Sequence, residues 1–166
     1  MYKLDWAKRD KPRATHEDLD KLEAEMEVKL PVVLRRILTE YGGKMPERDG
    51  ELVRVVTLPN GETGKPELIG FLSEFVKPSF VKSTTGWLGE QFNFRPEKII
   101  KFASDGGSQM LLCYDNDPTN ANPEIRNVWA GSETLEAAWK YFAPNLETLL
   151  ENLKTEPEAR ALGILD

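Results

Sequence analysis

Residues 98–117, KIIKFASDGGSQMLLCYDND, constrain the fold of this chain more than any other segment. Two apolar runs lie on either side of Asp105-Gly106-Gly107, and Asp-Gly and Gly-Gly pairs tolerate the positive φ angles of tight turns. The second run, residues 110–114, has no polar interruption, which is typical of a strand that is buried on both faces. The segment is therefore predicted to form a β-hairpin in the middle of the fold.

The residues before the hairpin show helical periodicity. Thr15 is suited to cap a helix with an apolar face made of Leu19, Leu22 and Met26. Leu30-Pro31 then separates this helix from a second one, because proline is favoured in the first turn of a helix. Gly42-Gly43 is predicted to end the second helix, since glycine readily adopts the left-handed conformation found there.

Further strands are predicted at residues 52–58 and 125–129, and a closing helix at residues 144–153. Residues 68–96 fit either a strand or a helix, and residues 132–142 have a helical composition but also fit a short last strand at their end. This order of elements indicates an α+β fold, a single domain with a mainly antiparallel sheet and helices packed against it. We place the domain at residues 15–153, between an N-terminal arm (1–14) and a C-terminal tail (154–166).

Net charge and hydropathy limit the kinds of partner that this chain is expected to bind. The chain has 22 basic and 28 acidic residues, a net charge of −6 at pH 7. This balance disfavours direct binding to nucleic acid, which requires a basic surface, and it mildly favours a basic protein partner, although a need for solubility would also account for it. No window approaches the roughly 18 apolar residues of a membrane span, and the basic N-terminus lacks the apolar run of a secretory signal, so no membrane association is expected.

The residue types that carry out catalysis form no recognisable pattern. The single cysteine, Cys113, lies inside the apolar run, which predicts a buried, unreactive thiol and a reducing, cytoplasmic location. The single histidine, His16, has no nucleophile near it in the sequence. Asp115 and Asp117 fit the first and third positions of a calcium loop, but the loop's glycine and glutamate positions are occupied by Asn120 and Arg126.

The sequence therefore predicts no catalytic residues, no metal site and no cofactor, and a non-enzymatic protein is expected. A small hydrolase or metal-dependent enzyme stays the alternative, because 28 acidic residues allow many pairs of carboxylates. The tryptophans suit a core but are also enriched in binding sites; they are Trp6, Trp87, Trp129 and Trp139.

Residues 19–43, LDKLEAEMEVKLPVVLRRILTEYGG, resemble the opening signature of the SUKH superfamily (Smi/Knr-like domains). That signature has an acidic helix, Leu-Pro and a second helix that ends in Gly-Gly, and here it consists of Leu22, Glu23, Leu30, Pro31, Leu38, Tyr41, Gly42 and Gly43. A second signature, strand, glycine turn, apolar strand and aspartate, is similar to residues 99–115. The third strand with Val128 and Trp129 and the helix at residues 145–153 extend the resemblance to about residues 15–153.

The resemblance implies a non-catalytic, protein-binding α+β domain. Many bacterial members are immunity proteins that bind and neutralise a toxin, often a nuclease, whereas fungal relatives act as scaffolds or regulators. An acidic chain suits a basic toxin domain, so we expect an immunity protein, with a regulatory module that binds a host protein as the alternative. The residues expected to bind the partner are Asp105, Asp115, Asp117, Glu124 and Trp129.

Overall fold

In the computed structural model, the segment predicted to be a hairpin forms the two strands around which the other elements pack. The structure describes residues 14–41, 52–54, 67–69, 79–105, 108–115 and 117–164. The elements in chain order are α1 (His16–Met26), α2 (Val32–Tyr41), β1 (Leu52–Arg54), β2 (Glu67–Ile69), α3 (Ser79–Phe92), β3 (Ile99–Asp105), β4 (Ser108–Cys113), β5 (Glu124–Trp129), α4 (Leu135–Ala138), β6 (Trp139–Ala143), α5 (Leu146–Glu151), β7 (Leu153–Thr155) and α6 (Glu156–Ala161).

The main sheet has four antiparallel strands in the order β3-β4-β5-β6. Its centre is the uninterrupted apolar run, in which Met110, Leu111 and Leu112 are each fully buried. Because successive side chains of a strand point to opposite faces, a run like this requires cover on both sides of the sheet. The predicted hairpin is confirmed by the pairing of β3 with β4, while the predicted turn residues Gly106 and Gly107 lie outside the described residues.

Each face of this sheet has its own apolar cluster. On one face, residues of α1, α2 and α5 pack against the sheet, among them Leu19, Leu34 and Leu149. On the other face, Ile99, Leu111, Cys113 and Val128 form a smaller cluster with the partly buried Trp87 and Trp139. The predicted α+β class is thus confirmed. Trp87 and Trp139 pack against the core, which is the position that tryptophan most often takes.

The capping prediction at the first helix is also confirmed. The Thr15 hydroxyl accepts a hydrogen bond from the Asp18 N–H at 3.1 Å, and the Asp18 carboxylate accepts one from the Thr15 N–H at 3.0 Å. Two free N–H groups at the helix start are therefore paired reciprocally. The predicted Gly42-Gly43 end of α2 and the later part of the predicted strand 52–58 lie outside the described residues.

The two segments whose sequence fits either a helix or a strand each contain one of both in the structure. Residues 68–96 include the end of β2 and all of α3, and residues 132–142 include α4 and most of β6. The region set apart as a tail begins with the end of β7 and α6, and β7 pairs with β1 in a second sheet of order β2-β1-β7. None of the helices in the described ranges is long and apolar enough to cross a bilayer.

Candidate protein-binding surfaces

The residues expected to bind a partner fall into two groups at opposite ends of the main sheet. Glu124 is paired in register with Cys113, at the end where the chain leaves β4 towards Asp115 and Asp117. Trp129 is paired with Ser108, whose partner in β3 is Asp105, at the turn end of the hairpin. Six residues of β4 separate the two ends by roughly 17 Å. We call Asp115, Asp117 and Glu124 the exit surface, and Trp129, Gly131, Glu133 and Glu136 the corner surface.

Asp115 has a structural function. Its Oδ1 atom accepts hydrogen bonds from the backbone N–H groups of Glu97 and Lys98, at 2.9 and 2.7 Å. The Tyr114 N–H in turn donates to the Lys98 carbonyl at 2.7 Å. The side chain therefore fastens the start of β3 to the end of β4. Although Asp115 is exposed, part of its hydrogen-bonding capacity is used within the chain.

Asp117 organises the loop that follows β4. Its Oδ1 accepts hydrogen bonds from the Thr119 hydroxyl at 2.7 Å and the Thr119 N–H at 2.9 Å. These bonds stabilise the charged carboxylate and lower the pKa of Asp117. The residue is exposed and ionised at neutral pH, so it offers a fixed negative charge to a partner.

Glu124 is a weaker candidate than its charge suggests. Its Oε1 accepts a hydrogen bond from Arg126 Nε at 2.8 Å and forms an ion pair with Arg126 Nη2 at 2.7 Å. The Arg126 guanidinium also lies 5.5 Å from the centre of the Tyr141 ring, within the range of a cation–π contact. Glu124 and Arg126 therefore neutralise one another on the face of the sheet.

The structure adds residues to the exit surface that the sequence analysis missed. Lys98 Nζ is 3.1 Å from Glu27 Oε2, although 71 positions separate the two residues. The Tyr114 hydroxyl donates to the Lys29 carbonyl at 2.7 Å in the same region. The end of α1 thus lies beside the exit surface and brings the exposed carboxylate of Glu27 to it. No local pattern in the sequence indicates this proximity.

Cys113 is buried at this end of the sheet, as predicted. Burial is the main cause that raises the pKa of its thiol, to about 11. The thiol is therefore protonated at neutral pH, the form that is a poor nucleophile. Among the residues described, there is no group of three or more His, Cys, Asp or Glu that could hold a metal ion.

The corner surface is built around an exposed indole. Trp129 is 57% exposed, whereas Trp87 and Trp139 are partly buried against the core. Its ring lies over Gly131, because a Cβ atom added to that glycine would be 3.3 Å from the indole Nε1. Gln91 Nε2 of α3 donates to the Ser132 carbonyl at 3.0 Å and ties the turn to that helix. The side chain of Asp105 lies outside the described residues, so only its strand position is known.

The Ser132 hydroxyl lies beneath this turn. It is buried and has no hydrogen-bond partner in the part of the chain that the structure describes. Its backbone N–H donates to the Trp129 carbonyl at 3.3 Å, which closes the turn after β5. Backbone and Gln91 contacts, rather than the hydroxyl, therefore hold the corner surface in place.

Comparison with known proteins adds one finding. A sequence model described as the SMI1 / KNR4 family (SUKH-1) matches residues 13–152, from just before α1 to just after α5. The match includes both the exit surface and the corner surface. A search of curated proteins gives no match.

Proposed function

Since this chain belongs to the SMI1/KNR4 family (SUKH-1), we propose that it is a non-enzymatic immunity protein that neutralises a cognate bacterial toxin by direct binding. Membership of this family supports a protein-binding function in general. The toxin as partner, its basic character and a cytoplasmic site of action are parts of the proposal. The partner class that fits best is a basic toxin domain such as a nuclease.

The single observation that carries the proposal is the acidic end of the sheet. Asp115 and Asp117 are exposed there, and the whole chain has a net charge of −6. Complementary charge accelerates association and opposes wrong partners. An inhibitor that must reach its toxin before damage occurs benefits from fast association, which supports a basic partner over a neutral one.

The direct test is growth rescue by co-expression. The toxin domain encoded beside this gene is expressed in a susceptible bacterium, with and without the present protein. We expect growth only when both are expressed, and a complex of the two purified proteins in size-exclusion chromatography. Failure of the protein to restore growth, together with absence of a complex, would reject the proposal.

A regulatory or scaffold module that binds a host protein is the second candidate. The same family membership supports it, because the family description does not restrict its members to one role. The gene neighbourhood separates the two, since a regulatory module does not need a toxin gene beside it. Deletion of the gene also separates them: it should be harmless in a strain that lacks the toxin if the protein is an immunity protein, and should alter growth in that strain if it is a regulator.

A further inference from the structure

Trp129 is the most exposed aromatic residue among those described, at 57%, compared with 42% for Tyr141. A single exposed apolar side chain needs no explanation on its own. Trp129 differs from an ordinary surface residue in the contact that its ring makes and in the charged residues that follow it in the chain.

The indole packs against the turn that follows it. It lies against the backbone of Gly131, where a larger residue would meet Nε1 at 3.3 Å. The turn that carries it is closed by the bond from the Ser132 N–H to the Trp129 carbonyl, and Gln91 ties the turn to α3. A side chain with such a packing contact has fewer accessible rotamers and loses less conformational entropy on binding, which favours its use as an anchor.

Two exposed carboxylates follow the indole closely in the chain. Glu133 and Glu136 are exposed, at the start of α4 directly after the turn. No residue in the described ranges forms an ion pair with either of them. At the exit surface, by contrast, Glu124 is paired with Arg126 and Asp115 holds two backbone N–H groups.

We infer that the corner surface is the main anchoring site for the basic toxin domain, with Trp129 inserted into an apolar pocket whose rim carries Lys or Arg opposite Glu133 and Glu136. Buried tryptophans are typical binding hot spots, and charges around the rim set the association rate. The inference rests on the proposed function and assigns the energetic centre of the interface to the turn end of the sheet rather than to the exit surface.

The test measures binding of the variants to a catalytically inactivated form of the toxin domain encoded beside the gene. Trp129→Ala should weaken binding at least about tenfold, mostly through faster dissociation, and Trp129→Phe should retain most of the affinity. Glu133→Lys combined with Glu136→Lys should slow association about tenfold at low salt, with a smaller effect at high salt. Glu17→Lys combined with Glu25→Lys on α1 is the matched control, because it also reverses two exposed charges, and it should change the rate less than about twofold.

The comparison arm is Asp117→Lys, which reverses one charge at the other end of the sheet. The inference is overturned if Trp129→Ala binds as tightly as the wild type, or if Asp117→Lys weakens binding more than the Glu133/Glu136 variant. If the wild type itself forms no complex, the proposed function fails and the inference fails with it. Thermal unfolding of each variant shows that the fold is retained, which is expected because Trp129 is mostly exposed.

Discussion

The Glu23 carboxylate accepts a hydrogen bond from the Leu30 backbone N–H at 2.7 Å, across the linker between α1 and α2. Leu30 precedes Pro31, and its side chain is buried at 3% exposure. The second oxygen of Glu23 pairs with Lys29 and Arg35, each at 3.2 Å. The acidic residue in the Leu-Pro signature therefore has a structural explanation: it satisfies a linker N–H that no helix can pair.

Removal of the Glu23 carboxylate should destabilise the fold more than any surface change. Glu23→Ala leaves a buried N–H and the nearby cations without their partner, which should cost about 3 kcal/mol of unfolding free energy. Glu23→Gln keeps an acceptor for the Leu30 N–H and should cost about 1 kcal/mol. Urea unfolding at pH 7 measures both.

The matched control is Glu17→Gln, which breaks an exposed pair with Lys21 on the same helix. It should change the unfolding free energy by less than about 0.5 kcal/mol. Equal effects at Glu17 and Glu23 would contradict the structural assignment.

The stability conferred by Glu23 should depend on pH. Burial alone would raise the pKa of Glu23, but the Leu30 N–H, Lys29 and Arg35 together lower it below the ordinary value. A lowered folded-state pKa means that the stabilisation is fully present above the unfolded pKa of about 4.3 and is lost as the pH falls through the folded value. Between pH 6 and pH 3, the wild type should therefore lose more unfolding free energy than Glu23→Gln. Unfolding free energies that fall in parallel with pH in the two proteins would contradict this prediction.

Asp115 and Asp117 should differ in their effects, although both are exposed acids of the exit surface. Asp115→Ala removes the acceptor for two backbone N–H groups and should cost about 1–2 kcal/mol, with faster hydrogen exchange at the amides of Glu97 and Lys98. Asp117→Ala affects only its own turn and should cost less than about 1 kcal/mol. The prediction would be contradicted if Asp117→Ala were the more destabilising variant. It would also be contradicted if the hydrogen-exchange rates at Glu97 and Lys98 stayed unchanged in Asp115→Ala.

Two glycines of α3 provide a matched pair of substitutions. A Cβ atom at Gly86 meets no atom within 4 Å, so Gly86→Ala should stabilise the helix by about 0.5–1 kcal/mol. At Gly89 the added atom would lie 2.5 Å from Arg95 Nε and 2.8 Å from its Cγ. The Arg95 side chain must move, so Gly89→Ala should show no gain. Adding Arg95→Ala should restore the gain at Gly89, which a double-mutant cycle in urea measures.

The local features of the fold could be predicted because their causes lie within a few residues. The Thr15 cap needs only Asp18, three positions away, and the buried strand is visible as the uninterrupted run at residues 110–114. The segments left open, 68–96 and 132–142, combine a helix with a strand, and short apolar runs of this kind suit both. Only packing against neighbouring elements decides whether such a run forms a helix or a strand.

The candidate site was less predictable than the fold, because exposure and charge pairing are tertiary properties. In the sequence, Trp87, Trp129 and Trp139 are equivalent apolar residues, yet only Trp129 is mostly exposed in the structure. Likewise, the sequence led us to expect Glu124 among the partner-binding acids, whereas its position beside Arg126 neutralises it.

The sequence by itself determined the hairpin, the first helix and its cap, the α+β class and the family, since turn residues, caps and periodicity act over a few positions. The tertiary structure decided that Asp115 and Trp129 lie at opposite ends of one sheet and that Glu27 reaches Lys98 across 71 positions. It also left Glu133 and Glu136 exposed a few positions after an exposed indole. The physical reason is that a residue's exposure and its electrostatic partners depend on which distant segments pack around it.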